Sequence, residues 1–125
     1  MSVEANKQTA RDFYDLMFNK CEPRAAMDRH VGDSYIQHNP LVPDGKEGFI
    51  AYFERMAAEF PGKRVVIVRA IGEADFVVLH TRQEWPGDME WAGMDIFRFE
   101  GGKIVEHWDV LQRVVADPLN ANTMF

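Results

Sequence analysis

The stretch that most limits what this chain can fold into is Trp91–Arg113, WAGMDIFRFEGGKIVEHWDVLQR. Two runs rich in aromatic and β-branched residues, 91–99 and 104–115, flank Glu100-Gly101-Gly102-Lys103. Such residues suit a pleated, half-buried surface, and paired glycines supply the positive φ angles of a tight turn. A β-hairpin is therefore expected. Side chains alternate between faces along a strand, so Gly93, Asp95, Phe97 and Phe99 share one face of the first strand. On the second, Val105, His107, Asp109 and Leu111 share a face, opposed by Ile104, Glu106, Trp108 and Val110. A three-residue loop with a glycine bulge sets Phe97 opposite His107 and Asp95 opposite Asp109. A strict two-residue turn sets Asp95 opposite Trp108. The bulged register is favoured, because it gathers Phe97, Phe99, Val105 and Leu111 on one apolar face with Asp95, His107 and Asp109 set into it.

Cross-strand neighbours lie ~5 Å apart, and two carboxylates that close resist ionising together, so one pKa should rise. A carboxyl group partly protonated near neutral pH suits general acid–base work. The competing reading makes these rim residues tied to loops, with no catalytic role.

At 125 residues the chain is expected to form one domain, 1–125. Its 46% hydrophobic and 27% charged residues match a soluble globular protein. A net charge of −6 without a basic stripe argues against nucleic acid as a partner. Gly45 and Gly48 in PDGKEG lack the spacing of a phosphate cradle. No apolar run is long enough to span a membrane and the N-terminus is polar, so a cytoplasmic protein without membrane attachment is expected. The single cysteine, Cys21, has no internal disulfide partner, in keeping with a reducing compartment.

Along the chain, Ala10, Phe13, Tyr14, Met17 and Phe18 form the apolar stripe of a helix over 2–19 that lacks a strong N-cap signal. Pro23 opens a short second helix reaching about His30. SYIQH, residues 34–38, reads as a short strand with Tyr35 and Gln37 on one face and Ile36 and His38 on the other. His38 then either lines a pocket mouth or caps the Pro-rich loop. Asp44 with Glu47 reads as a capping box for a third helix to about Glu59, burying Phe49, Ile50, Phe53, Met56 and Ala57. From Lys63 the period becomes two, giving strands in RVVIVRAIGE and FVVLHTRQEW before the hairpin. His80 is either a pocket histidine or an outer-face residue near an oligomer interface. The tail, ADPLNANTMF, has little pattern. Helices followed by strands indicate an α+β fold, with three N-terminal helices on one face of a strongly curved antiparallel sheet.

This order, with YIQHNPLVPDGKEG and MDIFRFEGGKIVEHWDV, resembles the SnoaL-like polyketide cyclase family. That family lies within the nuclear-transport-factor-two-like superfamily, beside ketosteroid isomerase and limonene epoxide hydrolase. The resemblance implies a cone-shaped α+β barrel, a homodimer or higher oligomer formed through the sheet, and a cofactor-free intramolecular aldol condensation driven by an Asp. The catalytic Asp matches Asp109. Asp95 stands where the cyclases carry a pocket histidine, a departure that puts the cyclase substrate in question.

The resulting expectation is an acid–base enzyme acting on a small hydrophobic carbonyl compound. Asp109 would be the acid–base group, Asp95 its coupled partner, and His38 and His107 orienting donors. Tyr14, Phe18, Tyr35, Phe49, Phe53, Trp91 and Phe97 would supply the walls. No cofactor and no metal are expected, since His107-x-Asp109 with His38 only loosely copies a two-histidine, one-carboxylate triad. The alternatives are a non-catalytic binding module of the same fold and an epoxide-hydrolase-type water activator. The latter needs an Asp–Arg–Asp relay, and alternation puts Arg98 on the face away from Asp95.

Overall fold

The computed structural model describes residues 2–125. Helix α1 spans Val3–Tyr14 and continues as a π-helical turn over Asp15–Asn19. Helix α2 (Pro23–His30) runs directly into β1 (Val31–Gln37), and α3 covers Gly45–Glu59. Strands β2 (Arg64–Glu73), β3 (Phe76–Glu84), β4 (Glu90–Glu100) and β5 (Lys103–Arg113) complete one sheet, in the order β1-β5-β4-β3-β2. The fold is α+β, with the helices packed against one face of that sheet. The edge strands β1 and β2 do not pair, so the sheet is curved but not closed into a barrel. No described helix is long and apolar enough to cross a membrane.

The Ser2 hydroxyl accepts from the Ala5 N–H at 3.0 Å, capping α1 where the sequence signal was weak. The wider turn after Tyr14 inserts one residue, which lets Leu16, Met17 and Phe18 all face the core. Asn19 then imitates a strand partner: its Nδ2 donates to the Val65 carbonyl and its Oδ1 accepts from the Val65 N–H. Asp44 sits at the N-cap position of α3 but does not cap it. Its carboxylate accepts from the Gln37 N–H at 2.8 Å, satisfying the end of β1, while Glu47 forks onto Arg24 at 3.1 and 3.2 Å. The expected capping box is thus replaced by two longer-range ties.

The hairpin adopts the favoured register, with Asp95 opposite Asp109 and Phe97 opposite His107, by a different route. Glu100 pairs with Lys103 across a two-residue Gly101-Gly102 turn with φ of 56° and 80°. The slip comes later, where Ile104 pairs with Phe99 but Glu106 pairs with Arg98, leaving Val105 as the extra residue of a β-bulge. The bulge turns Ile104 inward. Expected on the outer face, Ile104 is fully buried in the core.

Strand β1 is longer than SYIQH and pairs parallel with β5, matching Val31 to Ile104 and Gln37 to His107. It thereby carries Tyr35 and Gln37 to the concave face beside His107. The core between helices and sheet is built on Phe13, Met17, Met27, Phe49, Leu79, Phe97 and Phe99.

Candidate active site

Asp95 sits in the middle of β4 with no exposed surface. An isolated buried carboxylate is costly, so it must be partnered. The Tyr14 hydroxyl donates to its Oδ1, and His107 Nε2 lies 2.9 Å from the same oxygen. Thr81 Oγ1 is 3.5 Å from Oδ2. The lack of a side chain at Gly93 makes this packing possible, because a Cβ there would lie 2.5 Å from Thr81 Oγ1 and 2.9 Å from Leu111 Cδ2.

The tautomer of His107 follows from its other side. Nδ1 is 2.8 Å from Gln37 Oε1, and the Asn39 backbone N–H donates to that oxygen at 3.1 Å. A backbone N–H can only donate, so the atom facing both groups is the amide oxygen and His107 Nδ1 carries a proton. The Gln37 Nε2 is left to donate to the Tyr35 hydroxyl at 3.0 Å. Two proton arrangements then satisfy the buried contact: an imidazolium donating to carboxylate, or a carboxyl donating to neutral Nε2. They differ by one transfer over 2.9 Å.

Asp109 is the contrasting acid. It is half-buried opposite Asp95, and its Oδ2 accepts from Asn39 Nδ2 at 3.1 Å. Its Oδ1 has no hydrogen-bond partner among the described residues. Burial pushes its carboxyl above the usual carboxylate range; Asp95 adds to the rise, while His107 and the Asn39 bond oppose it. Desolvation is thus the main cause, ahead of the charge repulsion that the sequence pattern suggested. Burial, reinforced by both acids, also pushes the phenols of Tyr14 and Tyr35 well up, so both stay protonated donors at neutral pH.

A cavity of about 50 Å³ adjoins this cluster. Of the expected residues, Tyr14, Phe18, Tyr35, Phe49, Phe53, Phe97, His107 and Asp109 all line it. Asp95 stands behind the wall, reached through Tyr14 and His107. Trp91 is elsewhere, in an outer hollow of about 540 Å³ that shares Asn39, Tyr52, Trp85, Asp109 and Leu111 with the inner cavity.

His38 does not reach the cavity. Gln37 faces inward, so the next side chain faces out: His38 Nε2 lies 2.7 Å from Glu106 Oε2, and its ring stacks on Trp108 at 4.7 Å. His80 is also on the outer face, where it contacts Arg69, stacks on Phe125 and bonds the Met124 carbonyl. Arg98 bonds Glu106 and Glu100 on that face, so it forms no relay with Asp95. Gln37, Asn39, Thr81, Tyr52 and Trp85 were not foreseen as site residues. The inward parity of Tyr35 and Gln37 was a signal for the first.

Among the described residues, one group has metal-type donors close together: atoms of Asp95, His107 and Asp109 lie within 4.8 Å of one another. Two of its members already point at each other, since His107 Nε2 and Asp95 Oδ1 are in direct contact.

The chain belongs to the SnoaL-like domain family, whose model matches residues 10–107. No curated protein sequence matches it significantly. Solved structures similar to it include TsrD from Streptomyces laurentii, 22% identical with a TM-score of 0.75, covering 89% of this chain and 90% of that one. AclR from Streptomyces galilaeus, a candidate hydroxylase, is 18% identical with a TM-score of 0.75, covering 90% and 81%. IdmH from Streptomyces antibioticus, a candidate polyketide cyclase, is 17% identical with a TM-score of 0.70, covering 85% and 91%. At these identities the likeness concerns the fold, and the reaction is left to be argued from the site.

Proposed function

We propose that the protein is a cofactor-independent acid–base enzyme that removes a proton α to the carbonyl of a small, largely apolar substrate. The observation that carries this reading is Asp109: a half-buried carboxyl, raised by desolvation, with one free oxygen beside the cavity. A base whose pKa is lifted towards the working pH is suited to such a step. Asp109 takes the α-proton, and the electron pair moves onto the carbonyl oxygen as an enolate. Tyr14 and His107 are committed to Asp95 and Gln37. The donor available to a developing oxyanion is therefore Tyr35, which lines the cavity and whose hydroxyl accepts from Gln37 but donates to no described residue. The enolate carbon then attacks a second carbonyl in an aldol closure, or is reprotonated elsewhere as in isomerisation. Asp109 returns its proton in either case.

Liquid water takes about 30 Å³ per molecule, so an inner cavity of about 50 Å³ admits only the reacting end of a substrate. Its body would lie in the outer hollow. The test is solvent deuterium exchange at the α-carbons of a panel of small ketones, followed by NMR. Wild type should catalyse exchange on at least one, and Asp109→Asn should lose about 10²- to 10⁴-fold. Ligand binding without exchange would make the protein a binding module.

The same reading carries a homodimer through the outer sheet face. Ile71, Phe76, Ile96 and Trp108 line an apolar groove there, and sedimentation of the intact chain tests it.

A further inference from the structure

The outer hollow has a chemistry of its own. Tyr52, Phe60, Trp85 and Trp91 present aromatic surface to it, and the carboxylates of Asp88 and Asp109 lie among them. No lysine or arginine lines it or the inner cavity among the described residues. Aromatic faces carry negative electrostatic potential, and a positive group within about 6 Å of a ring centroid is attracted to it. The chain already makes one such contact at the rim, where the Arg55 guanidinium carbon lies 5.3 Å from the Tyr52 centroid. A net charge of −6 adds long-range attraction for cations and repulsion for anions.

We infer that the outer hollow is a binding site for an organic ammonium group, so that the ligand carries a protonated or quaternary amine remote from the end that enters the inner cavity. A carboxylate or phosphate would meet two acids, with no lysine or arginine in the lining to offset them. A purely hydrocarbon ligand would fill the rings but leave Asp88 without a counter-charge. An alkylated ammonium satisfies both, because its methyl groups pack on the rings while its charge faces Asp88, away from the base at Asp109. The inference rests on the proton-transfer reading only for what the other end of the ligand does; binding itself is read without turnover.

The test uses the full-length protein and two probes of the same shape, choline and its uncharged carbon isostere 3,3-dimethyl-1-butanol. The three indole N–H signals supply the readout, because Trp85 and Trp91 line the hollow while Trp108 lies on the opposite sheet face. Choline should shift Trp85 and Trp91 but not Trp108, with about tenfold greater affinity than the isostere. Asp88 lies in an exposed turn, so Asp88→Asn should fold normally and weaken choline by about threefold. Equal or tighter binding of the isostere would overturn the inference. So would choline shifts as large at Trp108, or no binding of either probe. None of these results would touch the exchange assay, which decides the reaction separately.

Discussion

The two faces of the β4–β5 hairpin carry nearly the same residue types and treat them in opposite ways. On the concave face Asp95, His107 and Asp109 meet Tyr14, Gln37 and Asn39 under the helices. On the convex face the half-buried Glu106 meets His38 and Arg98, at 2.7 and 2.8 Å. The Glu106 carboxyl is held below its ordinary range by hydrogen bonds from His38 and Arg98. The Asp109 carboxyl is held above its range by burial. Residue type therefore does not make an acid–base site. What matters is whether the fold removes water from a carboxyl faster than it supplies donors, and only Asp109 meets that condition beside a cavity.

The largest effect separating the faces should come from Asp95. Replacing it by Ala strands the Tyr14 hydroxyl and His107 Nε2 without their carboxylate partner in the interior, which should cost about 3 kcal/mol in denaturant unfolding. A loss below about 1 kcal/mol, the scale of an exposed pair, would mean that the inner cluster is no more demanding than the outer one.

Next comes the pH dependence of two isosteric changes. A folded-state pKa raised above the unfolded value makes the native state hold its proton more tightly, so stability falls as pH rises through the folded pKa. Asp109→Asn removes that loss and should stabilise the protein at neutral pH, with no gain below the unfolded value of about 3.9. For Glu106 the sign reverses: its depressed pKa contributes stability above the unfolded value of about 4.3, lost as pH falls through the folded pKa. Glu106→Gln should therefore destabilise at neutral pH, by at most about 1 kcal/mol. Unfolding curves of the two variants across pH should show opposite signs, and equal signs would erase the contrast between the faces. The smallest effect belongs to His38→Ala. It should trim stability by a few tenths of a kcal/mol and leave deuterium exchange unaltered.

Much of the concave face was legible in the chain. Alternation, with the bulged register favoured because it gathers the apolar residues on one face, put Asp95, His107 and Asp109 together with Phe97, and the helical stripe delivered Tyr14 and Phe18 to the same place. The bulge was legible only in its consequence. The favoured register required a slip, but its position at Val105 rather than in the turn depends on Ile104 finding room in the core, which no local pattern encodes. The donors to His107 and Asp109 were out of reach for a related reason. Gln37 and Asn39 lie 70 residues from their partners and arrive through a parallel β1–β5 pairing. His38 shows the same limit from the other side. Its parity within SYIQH already faced it away from Gln37, yet its place beside a Pro-rich loop suggested a pocket mouth. The lost capping box has a comparable cause, since Asp44 is drawn to an unpaired N–H that exists only once β1 has formed.

The central claim is that burial unmatched by charged donors, on one face of this hairpin only, turns an ordinary carboxyl into a base poised for proton transfer. Carboxyl-resolved NMR titration of Asp109 and Glu106 in the wild-type protein tests it most directly. The account predicts an Asp109 midpoint above the ordinary value of about 3.9 and a Glu106 midpoint below about 4.3. An Asp109 midpoint at or below its ordinary value would contradict it.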